Sequence, residues 1–282
     1  MKKVLITGAD GLLGTTVVEV FKEGEYDVVE TTIAELDITD HDAVSSRITA
    51  EKPDVIVNCA AYTNVDGCED DGFETAKLVN GTAVGYLAEA AARVQAVFLH
   101  ISSDYVDSNN SPEGFDESKT DLTPMNKYGE TKLLGEREVQ RVLADDPNFR
   151  AYIVRTSWLF GKGATNFIAK ITKFAQEKDE LSVVDDEVGT PTYVKDLALV
   201  LRDLAKGTAE SGIYHVTSSN HCSRYEFAKK ILELQGITTP VKPVKLADWP
   251  RKAKISNYSI LLNTKLPTQR TWEEMLEDYL GR

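Results

Sequence analysis

Five short apolar runs recur along the N-terminal part of the chain: Val4 to Ile6, Val28 to Val29, Val55 to Val57, Val97 to Ile101 and Tyr152 to Val154. Each is separated from the next by a longer amphipathic stretch, and this alternation is the pattern of βαβ units on a parallel sheet. Helical periodicity falls at Leu12 to Phe21, Asp42 to Thr49, Phe73 to Arg93 and Tyr128 to Leu143. Beyond Arg155 the alternation loosens, with helices expected near Asn166 to Gln176, Val194 to Ala205, Tyr225 to Leu234 and Thr271 to Leu280. The polar stretch Asp107 to Asp121, punctuated by Pro112 and Gly114, reads as a long surface loop. The expected fold class is therefore α/β: a doubly wound parallel sheet of the Rossmann type, followed by a smaller C-terminal α/β part. Residues 1–157 form the first domain in this reading and 158–282 mainly the second, with a segment near 188–217 returning to the first domain.

Composition narrows the class of partner. Across 282 residues, 42% are hydrophobic and 27% charged, as in an ordinary folded protein. A formal net charge of -13 argues against nucleic acid or an anionic membrane as partner, so any anionic ligand must meet a local, built site. Cys59, Cys68 and Cys222 lack framework spacing and the four histidines are scattered, so no disulfide scaffold, zinc cluster or other metal site is indicated and a cytoplasmic location is expected. The opening Met1-Lys2-Lys3-Val4-Leu5-Ile6 imitates a signal peptide, but Thr7, Gly8 and Asp10 interrupt it, and no apolar run approaches the ~20 residues that span a bilayer.

Directly after the first run comes Gly8-Ala9-Asp10-Gly11-Leu12-Leu13-Gly14, opening the first helix. Glycines there permit a tight turn and a close backbone approach, so that the helix N-terminus can hold a pyrophosphate with its free amides; the alternative is a purely structural turn. About 20 residues on, at the expected end of the second strand, Glu30 occupies the place of a ribose-binding acid. A carboxylate there favours NADH over NADPH, since it repels a 2′-phosphate, although Glu30 also reads as a solvated strand-end residue.

Tyr128 and Lys132 stand four residues apart, on one face of a helix. An ammonium within reach lowers a phenol's pKa from its usual ~10 and makes it usable for proton transfer. The spacing alone is also that of an exposed helical pair. Ser103, in Ser102-Ser103-Asp104 after the fourth run, lies at the carboxyl edge of the expected sheet, where ligands bind. Its hydroxyl is placed to hydrogen-bond the carbonyl oxygen that Tyr128 protonates.

With these residues the chain resembles the extended short-chain dehydrogenase/reductases, and more narrowly the dTDP-4-dehydrorhamnose reductase family. The blocks that carry the likeness are Gly8-Ala9-Asp10-Gly11, Leu36-Asp37-Ile38, Asn58-Cys59-Ala60-Ala61-Tyr62-Thr63, Ser103-Asp104-Tyr105, Tyr128 to Glu136, Arg155-Thr156-Ser157-Trp158 and Gly189-Thr190-Pro191-Thr192. The resemblance implies Ser103, Tyr128 and Lys132 as catalytic residues, with Lys132 also holding the nicotinamide ribose. It implies a cofactor, NADPH or NADH, bounded by Gly8, Asp10, Gly11, Leu12 and Gly14, by Asp37 and Ile38 at the adenine, and by Ala60, Ala61 and Tyr62. Substrate contacts are expected from Asp104, Tyr105, Trp158, Asn166 and Arg251, although Asn166 also suits a helix start and Arg251 a surface cation. The implied reaction is hydride transfer to the C4 ketone of a deoxyhexose on a nucleoside diphosphate, by a monomer or homodimer. Some relatives use magnesium; no residue pattern here calls for it.

The chain departs from the family pattern where the substrate is concerned. Asp107 stands where relatives carry Phe, Ile255-Ser256 where they carry Arg-Pro, Leu12 where they carry Gln, and Glu187 in place of Gln. Two other readings share the architecture: a sugar-nucleotide epimerase or 4,6-dehydratase, and a non-enzymatic cofactor-binding regulatory subunit. The dehydratase needs an Asp-Glu pair, and Asp104 is followed by Tyr105. The regulatory subunit dispenses with the catalytic residues that are present here.

Overall fold

The structure is a computed structural model and describes residues 1–108, 110–163 and 166–282. Strands β1 (Lys3–Thr7), β2 (Asp27–Thr31), β3 (Val55–Asn58), β4 (Val97–Ser103) and β5 (Ala151–Thr156) form the expected parallel sheet. A sixth strand, β10 (Gly212–His215), joins its edge parallel to β5, so the order is β2-β1-β3-β4-β5-β10. The helices between the strands are α1 (Leu12–Glu23), α2 (His41–Glu51), α3 (Phe73–Lys77), α4 (Ala83–Val94) and α5 (Lys127–Asp145).

The strand pleat explains why the runs are apolar throughout. Val4, Ile6, Val55, Val57, Tyr152 and Val154 face α1 and α7 (Val194–Leu204) in one core layer. Leu5, Ile56, Phe98, Ala151 and Ile153 point the other way, into a layer with α2, α4 and α5. A sheet covered on both faces buries every side chain of its strands, which removes the polar alternation of a half-exposed strand.

The rest of the chain builds a cap at the carboxyl edge. It comprises β6 (Leu159–Phe160), α6 (Phe167–Glu177), β7 (Leu181–Val184), β8 (Val188–Gly189), β9 (Thr192–Tyr193), β11 (Cys222–Ser223), α8 (Arg224–Gln235), β12 (Val241–Val244), β13 (Tyr258–Ser259) and α9 (Trp272–Leu280). Ile171, Leu181, Val183, Ala228 and Leu232 give this part its own small core. The chain leaves it to supply α7 and β10 to the larger unit and then returns. Asp107 to Asp121 forms no regular element among its described residues, and it touches the cap through a bridge from Phe115 to Leu261. Among the described residues no helix is long and apolar enough to cross a membrane.

Candidate active site

A cleft of about 850 Å³ lies at the carboxyl edge of the sheet, reaching from the glycine loop to Ser103, Tyr128 and Lys132. That volume suits a cofactor or substrate-sized ligand. Gly11 enters α1 in an extended conformation and no side chain caps the helix, so the first amides of α1 face the cleft without an intrahelical acceptor. Gly8 has φ +62°, and a Cβ there would lie 2.7 Å from the amide nitrogen of Ala60. A Cβ on Gly14 would lie 2.0 Å from the carbonyl oxygen of Gly8, so only glycine lets the helix sit against its own turn. Uncapped amides, a shaved backbone and a cleft of this size fit a pyrophosphate-bearing dinucleotide.

Gly8, Asp10, Gly11, Leu12, Gly14, Asp37, Ile38, Ala60, Ala61 and Tyr62 all line this cleft. Asp37 stays ionised because the hydroxyl and amide of Thr39 hydrogen-bond its carboxylate, at 2.7 and 2.9 Å, and lower its pKa. Glu30 is not among the lining residues; its carboxylate is held by Lys22 at 2.6 Å on the exposed surface. Lys22 reaches it from the last turn of α1.

The helix carrying Tyr128 and Lys132 is fixed at its start. Asn126 caps α5, accepting from the Gly129 amide at 2.9 Å and donating to the Lys254 carbonyl at 2.8 Å. Such a cap contributes ~1 kcal/mol. A Cβ on Gly129 would lie 2.0 Å from the carbonyl oxygen of Tyr105, so glycine there lets α5 press Tyr128 against the turn after β4. The rings of Tyr105 and Tyr128 meet edge to face at 5.4 Å.

Charges in this corner differ from the expectation in one respect. The Tyr128 phenol is pushed up, not down: burial raises it, then the charge of Asp104, while a hydrogen bond with Ser103 works the other way. Lys132 Nζ donates to the Ile101 carbonyl at 2.7 Å. Burial drives Lys132 down to about 8, opposed by Glu136 one turn further along α5. Tyr128 is thus held protonated at neutral pH, the form a proton donor needs. Ser103 donates to Asp104 Oδ1 at 2.8 Å. Asp104 is 2% exposed, and burial lifts its pKa to about 6.

Beneath them, Arg155 and Glu136 form a fully buried two-pronged pair at 2.8 and 2.7 Å, and Ser102 donates to the same carboxylate at 2.5 Å. Composition and spacing do not signal this network. Nor do they signal Asn80, which sits in a π-helical turn (Leu78–Thr82) between α3 and α4 and clamps Tyr62 by accepting from its amide and donating to its carbonyl. The Asn80-Gly81 pair of weak helix formers inside an expected helix is the one mark it leaves in the sequence.

Asp104, Tyr105 and Trp158 line the cleft, as does Ser157 beside them. Asn166 lies elsewhere: it caps α6, accepting from Ala169 at 3.0 Å and donating to the Gly161 carbonyl at 2.8 Å, so both ends of its amide are engaged. Its neighbours Ala164 and Thr165 lie outside the described residues. Arg251 is also outside the cleft lining and pairs with Glu187 at 3.1 Å; Arg224 takes the other oxygen of Glu187 at 2.9 Å and stacks its guanidinium 3.3 Å from the centre of the Trp158 ring. A smaller chamber of about 20 Å³ shares Asp104, Tyr105 and Trp158 with the cleft. Asp107, Glu187 and Ile255, three of the departures noted above, lie in its wall.

Comparison with known proteins follows this geometry. The chain matches the family described as RmlD substrate binding domain over residues 1–282. It is 37% identical over 284 residues to the spore coat polysaccharide biosynthesis protein SpsK of Bacillus subtilis, covering 99% of this chain and 97% of that one. Identity to the dTDP-4-dehydrorhamnose reductase of Mycolicibacterium smegmatis is 37% over 284 residues, covering 98% and 84% of the two chains. A crystal structure of dTDP-4-dehydrorhamnose reductase from Bacillus anthracis in complex with NADP superposes with a TM-score of 0.94 at 35% identity, covering 99% of each chain. With the whole length matched in sequence and in fold, the chain belongs to the RmlD substrate binding domain family, that of the dTDP-4-dehydrorhamnose reductases among the extended short-chain dehydrogenase/reductases.

Proposed function

We propose that this chain reduces the C4 ketone of a nucleotide-linked 6-deoxyhexose with NADPH, converting dTDP-4-dehydrorhamnose to dTDP-rhamnose. The observation that carries the reading is that the buried Tyr128 lines one cleft with Ser103, Lys132 and an uncapped helix N-terminus. When bound, NADPH supplies the hydride. The amides of α1 and the Gly8 to Gly14 loop would hold its pyrophosphate, Asp37 and Ile38 its adenosine end, and Lys132 its nicotinamide ribose. Ser103 would turn its hydroxyl hydrogen from Asp104 to the ketone oxygen to position it, and Tyr128 would give its proton to that oxygen as the alkoxide forms. Burial of Tyr128 and Lys132 keeps water from competing for the proton.

The relatives support the choice of sugar and cofactor: several carry the dTDP-4-dehydrorhamnose reductase name, and the Bacillus anthracis enzyme was crystallised with NADP. SpsK, by its name, belongs to spore coat polysaccharide biosynthesis, and a sugar precursor for a polysaccharide suits the same product. Residues 1–157 with the returning α7 and β10 serve the cofactor in this reading, and the remainder serves the sugar nucleotide. An assay of NADPH and NADH oxidation against a panel of nucleotide-linked 4-ketosugars tests it. One NADPH consumed per dTDP-4-dehydrorhamnose is the expected result, and turnover without net cofactor oxidation, as an epimerase shows, overturns it.

A further inference from the structure

Trp158 stands at the reacting end of the cleft, lining it together with Ser103, Asp104, Tyr105 and Tyr128. Its backbone lies in the left-handed region, at φ +45°, which a bulky residue adopts only where its surroundings hold it there. The holding groups come from one segment of the cap. Ser157, the residue before, donates to the Thr190 carbonyl and shares a hydrogen bond with the Thr190 hydroxyl, each at 2.7 Å. The Trp158 carbonyl accepts from the Thr192 amide at 3.3 Å.

The plane of the indole is set by other groups. A Cβ on Gly189 would lie 2.5 Å from Trp158 Cε2, so glycine lets the ring rest against β8. Arg224, the first residue of α8, lays its guanidinium 3.3 Å from the ring centre. Arg224 is itself tied down: its amide donates to the Glu187 carbonyl at 3.0 Å and its Nε to Glu187 Oε1 at 2.9 Å. Glu187 is 2% exposed, and its Oε2 accepts from Arg251 at 3.1 Å, so two arginines occupy both oxygens of one buried carboxylate. Neither Arg224 nor Glu187 lines the cleft, so their contact with a ligand there runs through Trp158. The charge of Arg224 also reaches Asp104, whose pKa burial raises and Arg224 lowers. Stacking and charge are separable, because a flat guanidinium supports the face of a ring and a lysine ammonium keeps only the charge.

We propose that Arg224 is a positioning residue for the substrate: held by Glu187, it fixes the plane of Trp158, and the indole then stands as a preset wall against the sugar. The inference rests on the reductase function proposed above. A wall already in its bound orientation removes the need to order a large side chain when the sugar nucleotide enters, which favours binding. The sugar meets this wall both before and during hydride transfer, so the gain is uniform and shows in KM more than in kcat.

Arg224→Lys tests this, since it keeps a cation beside Glu187 and removes the flat stack. With dTDP-4-dehydrorhamnose and saturating NADPH, KM for the sugar should rise ~10-fold, with kcat within ~3-fold of wild type and NADPH affinity within ~2-fold. In a Trp158→Ala background the same substitution should alter KM by less than ~2-fold, because the ring through which it acts is gone. A wild-type KM in Arg224→Lys, an equal rise in KM in both backgrounds, or a loss of NADPH affinity as large as the rise in KM overturns the role of Arg224 and leaves the reductase reading intact. Failure of the wild-type enzyme to oxidise NADPH with this sugar overturns that reading, and the role with it.

Discussion

Replacing Arg155 by Met isolates the energetic role of the buried pair beneath Lys132. Arg155 and Glu136 are 0% and 1% exposed, and two charge-assisted bonds of 2.8 and 2.7 Å join them. Without the guanidinium the carboxylate keeps the Ser102 hydroxyl as its one hydrogen-bond donor among the described residues, with the charge of Lys132 one turn away. Removing one partner of a buried ion pair costs ~3–5 kcal/mol, because the other charge stays buried and uncompensated. Set against a total stability of ~5–15 kcal/mol, that is a large fraction. At roughly 2 °C per kcal/mol for a chain of this length, Tm should fall by about 6–10 °C. The double variant Glu136→Gln/Arg155→Met removes both charges and should regain most of the loss, since a neutral pair carries no unpaid desolvation. Thermal and urea denaturation of the wild type, the single variant and the double variant measure this. A single variant within ~1 kcal/mol of wild type, or a double variant no more stable than the single, refutes the reasoning.

Two further outcomes follow from the same geometry. Gly14→Ala places a methyl 2.0 Å from the Gly8 carbonyl, where backbone and not a side chain must yield; overpacking of ~1–3 kcal/mol should weaken NADPH binding by roughly 10- to 100-fold, readable by fluorescence titration. The pH profile of kcat/KM should be bell-shaped: Asp104, lifted to about 6, loses its acceptor charge as pH falls below that value, and Lys132, lowered to about 8, loses its ammonium as pH rises above it. An alkaline limb near 10, the range of an ordinary lysine, contradicts the second assignment.

Much of the fold was legible because the runs at Val4, Val55, Val97 and Tyr152 are strands covered on both faces, which leaves an unbroken apolar signature. The edge strand β10 was harder: Gly212-Ile213-Tyr214-His215 is short and carries no such run. Phe73 to Arg93 reads as one helix, but the chain needs Asn80 to turn inward to Tyr62, and the helix opens into a π-helical turn to allow it. In the site, local signals served well where function resides in the backbone, as in the glycine loop. They failed where a side chain's state depends on a partner from another element. Lys22 reaches Glu30 across eight residues, Lys132 finds an acceptor in the Ile101 carbonyl, and the amide of Asn166 is engaged by the start of α6 and by Gly161. The smaller chamber was equally invisible, since Asp107, Glu187 and Ile255 meet only when the cap closes over the sheet edge.

The central claim is that Tyr128 donates the proton to the ketone oxygen, and Tyr128→Phe tests it most directly. Phenylalanine keeps the ring and its edge-to-face contact with Tyr105 while removing only the hydroxyl. With dTDP-4-dehydrorhamnose as substrate, kcat should fall by ~10²–10⁴-fold, the usual worth of a general acid, with NADPH affinity unchanged within ~2-fold. Turnover within ~10-fold of wild type would contradict the account, because another group would then have to supply the proton.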